Sequence, residues 1–262
     1  MNYWRKERYK RTILQNLSVS NAFLLIQIVM FIVMTLHGGS TNPAVLVYYG
    51  AKYSPFIIAF HQYWRFITPI FLHIGMEHLV MNSIFLYFLG NQLESIIGHG
   101  KFFVIYLLSG IIGNVASFAF SPSISAGAST SLFGLFGIIL YLSTKHKYIY
   151  FFRELGMQYK ALLIMNLVSS LFLSRVDVYG HLGGLVGGYI ATAVFTFRGD
   201  GVTKFYERIL FGIAYIIVFI VLFFIGLTQF ILWNPFTNWY TIDIWIRFMR
   251  WVLWIKKLLE LI

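Results

Sequence analysis

The sequence predicts an all-α fold, a polytopic membrane helix bundle. Three observations predict it: 59% of the 262 residues are hydrophobic, only 11% are charged, and the apolar residues gather in long runs. A soluble domain carries about 25% charged residues. With a mean hydropathy of +0.75, this chain is built to face lipid.

A hydrocarbon core of about 30 Å takes about 20 apolar residues per helix. That measure gives seven spans, near 20–36, 70–90, 102–120, 129–144, 158–174, 181–197 and 207–227. The fourth to sixth are short, and the short ones carry the polar residues. The N-terminus is basic, but no small-residue cleavage site follows the first apolar stretch, so that stretch is read as a span and not a signal peptide. The chain divides into a basic cytoplasmic segment 1–19, a membrane domain 20–228 and an aromatic, basic tail 229–262.

Charge orients the bundle. With the N-terminus inside, the inner segments hold Arg5, Lys6, Arg8, Lys10, Arg11, Lys101, Lys145, Lys147, Arg153, Lys160, Arg198, Lys204 and Arg208, 13 of the 20 basic residues. Lys52, Arg65 and Arg175 fall outside. The bias supports a cytoplasmic N-terminus. The net charge of +11 then follows from topology and anionic inner-leaflet lipid, with no nucleic-acid partner. With no organellar transit segment in evidence, the cell membrane is the simplest location. The chain has no cysteine, which removes disulfides, thiol catalysis and thiolate metal sites together.

Three polar clusters stand out. The first is His73-Ile-Gly-Met-Glu-His78-Leu-Val-Met-Asn82, at the outer end of span two. His78 and Asn82 are four apart and share a helix face. Two side-chain donors aimed at one point make an oxyanion hole. Alternatively, they glue helices together. A metal site is disfavoured, because HxxxxH puts its two imidazoles on divergent faces.

The second is Gly127-Ala128-Ser129-Thr130-Ser131, heading span four. Ser129 reads either as a helix cap or as a nucleophile. Small residues before it admit another chain, and the helix N-terminus offers free N–H groups and a positive dipole end. Thr130 and Ser131 are weaker competitors. Phe133 lies one turn below Ser129, where it can pack against an incoming imidazole.

The third is His181-Leu-Gly183-Gly184-Leu-Val-Gly187-Gly188, heading span six. Gly184 and Gly188 form a flat stripe beneath His181, which permits close approach of a neighbouring helix. Gly134 and Gly137 of span four are the expected counterpart. His181 reads as an incidental interfacial histidine or as the base for Ser129, and an intramembrane ionisable residue is a functional hypothesis by default. The orientation puts Ser129 and His181 at similar depth on the outer side. Asp177 is a conceivable third member of a triad, but it is expected to be solvated beside Arg175, which favours a Ser-His dyad.

Together these clusters resemble the rhomboid family of intramembrane serine proteases. The resemblance runs from Trp64 to Gly188, about half the chain, and rests on Trp64-Arg65, on His73, His78 and Asn82, on Gly127–Ser129, and on the His181 run. It implies Ser129 as nucleophile, His181 as general base, and His78 and Asn82 as oxyanion donors assisted by the Ser129 backbone N–H. His73 matches a further polar position and Gly127 permits close approach to the serine. Trp64 and Arg65 belong to a large first outer loop that Glu94 supports, with Arg65 its candidate partner. Thr130 stands where the family commonly has glycine, narrowing the space beside the serine. The implied substrates are transmembrane proteins, drawn from the bilayer and cut in or near their spans, with no cofactor. A catalytically inactive relative that binds membrane clients and a transporter are the rival functions; the chain keeps both nucleophile and base, and its polar set clusters at one face. The resemblance implies a six-helix core, the first six spans, with the seventh transmembrane helix an addition to it; residues 231–262 exceed that core and read as an interfacial helix or an eighth span.

Overall fold

The computed structural model describes residues 18–172, 176–195 and 204–233. The basic segment, Arg175, Arg198 and the tail from 234 lie outside the described residues. Ser18 opens helix α1 (Val19–Leu36), its hydroxyl accepting from the Asn21 N–H at 3.1 Å. Two more of that helix's free N–H groups, those of Val19 and Ser20, donate to the Glu94 carboxylate at 2.7 and 2.8 Å. The Ser20 hydroxyl and the His99 ring also bond to it. Together these donors hold the buried Glu94 carboxylate at the head of α1. A negative charge at a helix N-terminus satisfies both its donors and its dipole.

This overturns the expected pairing of Glu94 with Arg65. Glu94 lies far along the second span, a column of helix away from the outer loop. The Arg65 guanidinium instead donates to the carbonyls of Val47 and Ala51, both at 2.8 Å, and to the Gln62 side chain at 2.7 Å. The first outer loop therefore holds itself together. It contains two short helices, α2 (Pro43–Tyr48) and α3 (Ser54–Ala59), and two 3-10 turns at Tyr63–Phe66 and Thr68–Phe71. Trp64 is exposed on its surface. A second buried cation, Lys52, donates to the carbonyls of Ser121 and Ser123 at 2.7 and 2.6 Å. Its backbone pairs with Ser125 in an isolated bridge. The loop is thus tied to the segment that leads into Ser129.

The second span begins later than predicted. Residues 68–75 are spent in the 3-10 turn around Pro69 and in Gly75, whose φ of +82° is open to glycine. The column is α4 (Met76–Phe85), one π-turn (Leu86–Gly90) and α5 (Asn91–Ile97). It is followed by α6 (His99–Phe120), α7 (Ser129–Lys145), α8 (Tyr150–Phe172), α9 (Val178–Phe195) and α10 (Phe205–Trp233). α8 starts well before its predicted position, because the charged stretch around Arg153 and Glu154 is helical and not a loop. Five of these helices, α1, α6, α8, α9 and α10, are long and apolar enough to cross a membrane. The protein is a polytopic helical membrane bundle.

α9 packs chiefly on α6 and α7, and α10 on α6. The contact is made by glycine. A Cβ added to Gly184 would collide with the Thr130 carbonyl, and one added to Gly188 with the Gly134 carbonyl. Gly137 meets the backbone of Leu185 and Tyr189 in return. A second ridge, Gly183 and Gly187, lies against Ala116, Ile112 and Gly113 of α6. α9 is therefore wedged between two helices at near-backbone distance. α7, with 17 residues, spans about 25 Å. It runs through the middle of the bundle with most of its residues buried.

Candidate active site

α7 begins at Ser129 itself, with Ala128 as its N-cap. The serine hydroxyl is half-buried. Its neighbours are buried: the Thr130 methyl lies against Gly113 and Gly180, and the Ser131 hydroxyl against Gly110. Of the three hydroxyls in a row, only that of Ser129 keeps access to the outside. The preceding segment is held by the Gly127 N–H, which donates to the Pro69 carbonyl at 2.9 Å.

Gly127 lies directly against the His78 imidazole, with the Asn82 amide nitrogen just beyond. A side chain at Gly127 would displace His78, so the glycine lets α4's polar face reach the serine segment. His78 and Asn82 are one turn apart on α4, as their spacing requires. The Asn82 amide nitrogen is buried and has no hydrogen-bond partner among the described residues. Buried donors are almost always paired, so this one marks a place for an acceptor. The His73 ring sits edge-on to His78 at 5.3 Å and accepts a long bond, 3.5 Å, from the Ala128 N–H.

His181 lies in the first turn of α9 and is 7% exposed. Its ring stacks flat on Phe133, with centroids 4.0 Å apart and an interplanar angle of 16°. Phe133 is one turn below Ser129 on α7, so the stack carries the imidazole to the serine's end of that helix. No Ser129–His181 hydrogen bond is formed among the described residues. Unliganded sites commonly hold such pairs loosely.

Asp177 is not solvated as expected. It is half-buried, accepting from the Gly180 N–H at 2.9 Å and from the Ser117 hydroxyl. It caps α9 and ties it to α6. Arg175, its expected neighbour, lies outside the described residues. The partner of the His181 Nδ1 is instead the Ser170 hydroxyl of α8, at 2.8 Å. Sequence reasoning passed over Ser170; its one signal is a polar Ser169-Ser170 pair near the end of an apolar helix. Lys52 was likewise read only as a loop charge.

The structure thus brings Ser129, His181, Phe133, His73, His78, Asn82 and Gly127 to one end of the bundle. Gly184 and Gly188 hold α9 in place, and Arg65 braces the loop nearby. Trp64 and Glu94 do not join this cluster. Among the described residues no group of three His, Asp or Glu side chains is arranged to hold a metal.

A rhomboid-domain family model matches residues 60–198, a stretch that contains every one of these side chains. This chain belongs to the rhomboid family. It is 43% identical over 171 residues to the rhomboid protease GluP of Bacillus subtilis, covering 65% of this chain and 33% of that protein. It is 33% identical over 218 residues to the rhomboid-like protease 3 of Toxoplasma gondii, covering 78% of this chain and 80% of the relative. RHOMBOID-like protein 1 of Arabidopsis thaliana is 33% identical over 155 residues, 57% of this chain and 39% of the relative. The chain therefore spans about a third of the Bacillus protein's length. In this rhomboid, α1 and α10 flank the matched stretch and close the bundle around it.

Proposed function

We propose that this rhomboid is an intramembrane serine endopeptidase, with Ser129 as nucleophile and His181 as its general base. The observation that carries the reading is the stack of His181 on Phe133, one turn below a half-buried Ser129 whose neighbours Thr130 and Ser131 are fully buried. In the first half-reaction the Ser129 Oγ attacks a peptide carbonyl and its proton passes to the His181 Nε2. The carbonyl oxygen becomes an oxyanion. The Asn82 amide, His78 and the backbone N–H of Ser129, free at the start of α7, donate to it. The C–N bond then breaks, and the imidazolium returns the proton to the leaving amine. In the second half-reaction water, deprotonated by the same imidazole, attacks the acyl carbon; the ester bond to the Ser129 Oγ breaks, the imidazolium returns its proton to that oxygen, and the acid leaves.

The substrate is another transmembrane protein. A continuous helix hides its peptide bonds in its own hydrogen bonds, so the cleaved stretch enters unwound. The polar heads of α4, α7 and α9 gather at one end of the bundle, where water reaches the site. The basic bias of the opposite loops makes that end the outer face, with the N-terminus cytoplasmic and the protein in the cell membrane. The similarity to rhomboid proteases of Bacillus subtilis and Toxoplasma gondii supports the same activity.

The test is labelling of the purified protein with a fluorophosphonate probe, beside cleavage of reconstituted transmembrane substrates. Wild type is expected to label, and Ser129→Ala and His181→Ala to lose both labelling and cleavage. Equal labelling of Ser129→Ala would overturn the nucleophile. A folded wild type that neither labels nor cleaves would make the chain an inactive member that only binds membrane clients.

A further inference from the structure

Resting on that reading, we infer that Ser170 is a positioning residue that selects the tautomer of His181 competent to act as a base. A hydroxyl has one proton to give. The Ser170 Oγ lies 2.7 Å from the Asn166 carbonyl oxygen, one turn back on α8, and 2.8 Å from the His181 Nδ1. A carbonyl oxygen can only accept, so the hydroxyl proton goes to Asn166. The serine oxygen then presents a lone pair to the imidazole and accepts the Nδ1–H. Neutral His181 is thereby fixed with its proton on Nδ1 and its lone pair on Nε2.

That choice matters because a neutral histidine side chain in water prefers the opposite tautomer, with the proton on Nε2. In that form the nitrogen facing the nucleophile has no lone pair to offer. Serine hydrolases commonly spend a buried carboxylate on this selection. Here the nearby carboxylate is engaged elsewhere, since Asp177 accepts from Gly180 through one oxygen and from Ser117 through the other. The titratable groups whose charge acts on His181 are Asp177 and His78, and neither bonds to Nδ1. Ser170 is itself buried, which excludes water from replacing it readily. Phe133 fixes the plane of the ring and Ser170 fixes its rotation within that plane. A neutral hydroxyl suits a low-dielectric site, where a buried charge costs heavily.

The experiment combines a spectroscopic readout with kinetics on the full-length protein in detergent micelles. The protein is labelled with 15N at its histidines, and the His181 signals are assigned by their loss in His181→Gln. At a pH where His181 is neutral, wild type is expected to show a protonated Nδ1 and a bare Nε2. In Ser170→Ala an Nε2–H population appears. The maximal rate of fluorophosphonate labelling falls about tenfold or more, as for loss of an orienting partner, at an unchanged half-saturating probe concentration. Ser170→Thr, which keeps the hydroxyl, restores both. A wild-type His181 protonated on Nε2, or a Ser170→Ala protein with unchanged tautomer and labelling rate, would overturn the inference. A wild type that holds the Nδ1–H tautomer but never labels sinks the protease reading, and the role of Ser170 with it. One that labels with the other tautomer sinks Ser170 alone.

Discussion

Individual polar side chains carry unusual weight in this molecule, because a donor without an acceptor has no water to fall back on inside the bundle. Asn82 is the plainest case. If its unpaired amide nitrogen serves a transition-state oxyanion, Asn82→Ala should lower the fluorophosphonate labelling rate by roughly 10²-fold. The thermal midpoint should hold or rise, since a buried unsatisfied donor is removed. A helix-gluing asparagine predicts the reverse, a lower midpoint with labelling intact. Lys52 makes a second prediction. Burial lowers its pKa to about 8, against the opposing pull of Asp177. Between that value and 10.5 the unfolded chain binds a proton that the folded protein does not, so stability from this group rises with pH across the window. The gain is on the order of 3 kcal/mol. Thermal unfolding from pH 7.5 to 10.5 should therefore shift in favour of wild type relative to Lys52→Met; a constant gap between the two would refute it. At this scale the sequence was legible where spacing alone fixes a relation, as for His78 and Asn82. It was not legible for Ser170, whose role depends on which face of α8 meets α9, nor for Glu94, whose partners are backbone N–H groups over 70 positions away in the chain.

At the scale of elements, glycine decides how the site is assembled. The α7–α9 contact is close because Gly184 and Gly188 leave room for the carbonyls of Thr130 and Gly134. Gly184→Val should force the helices apart, cost roughly 1–3 kcal/mol of stability and abolish labelling, because His181 is carried away from Ser129. Gly212 of α10 has open space around it, so Gly212→Ala should leave labelling within about twofold of wild type, since an exposed change away from packing rarely exceeds ~0.5 kcal/mol. Comparing the two variants by labelling and thermal unfolding checks that packing, and not glycine content, is what matters. The stripe was visible in the sequence, and so was its counterpart on α7. The second ridge, Gly183 and Gly187 against α6, was not. A pair of adjacent glycines looks the same whether one helix or two lie against it.

At the scale of the whole molecule, the polar residues of the candidate site gather at one end of the bundle. Under the proposed protease function, the substrate is met where water ends and lipid begins. The rate of cleavage should depend on how readily the substrate helix unwinds there. Replacing helix-breaking glycines near the cut site of a reconstituted substrate with leucine should slow cleavage severalfold, while labelling by a small fluorophosphonate stays unchanged. Equal slowing of both would mean that unwinding is not what limits entry. The sequence by itself determined the solvent, the all-helical membrane class and the spacing that puts His78 and Asn82 on one helix face. Those follow from composition and from local periodicity, which a linear reading samples directly. Only the tertiary structure decided that Asp177 caps a helix, that Glu94 anchors α1, that Lys52 and Arg65 brace the outer loop, and that Ser170 holds the imidazole. Each of these is a hydrogen bond reaching across the fold or between neighbouring elements. Its partner is chosen by helix rotation and depth, which no residue's own neighbours in the chain encode.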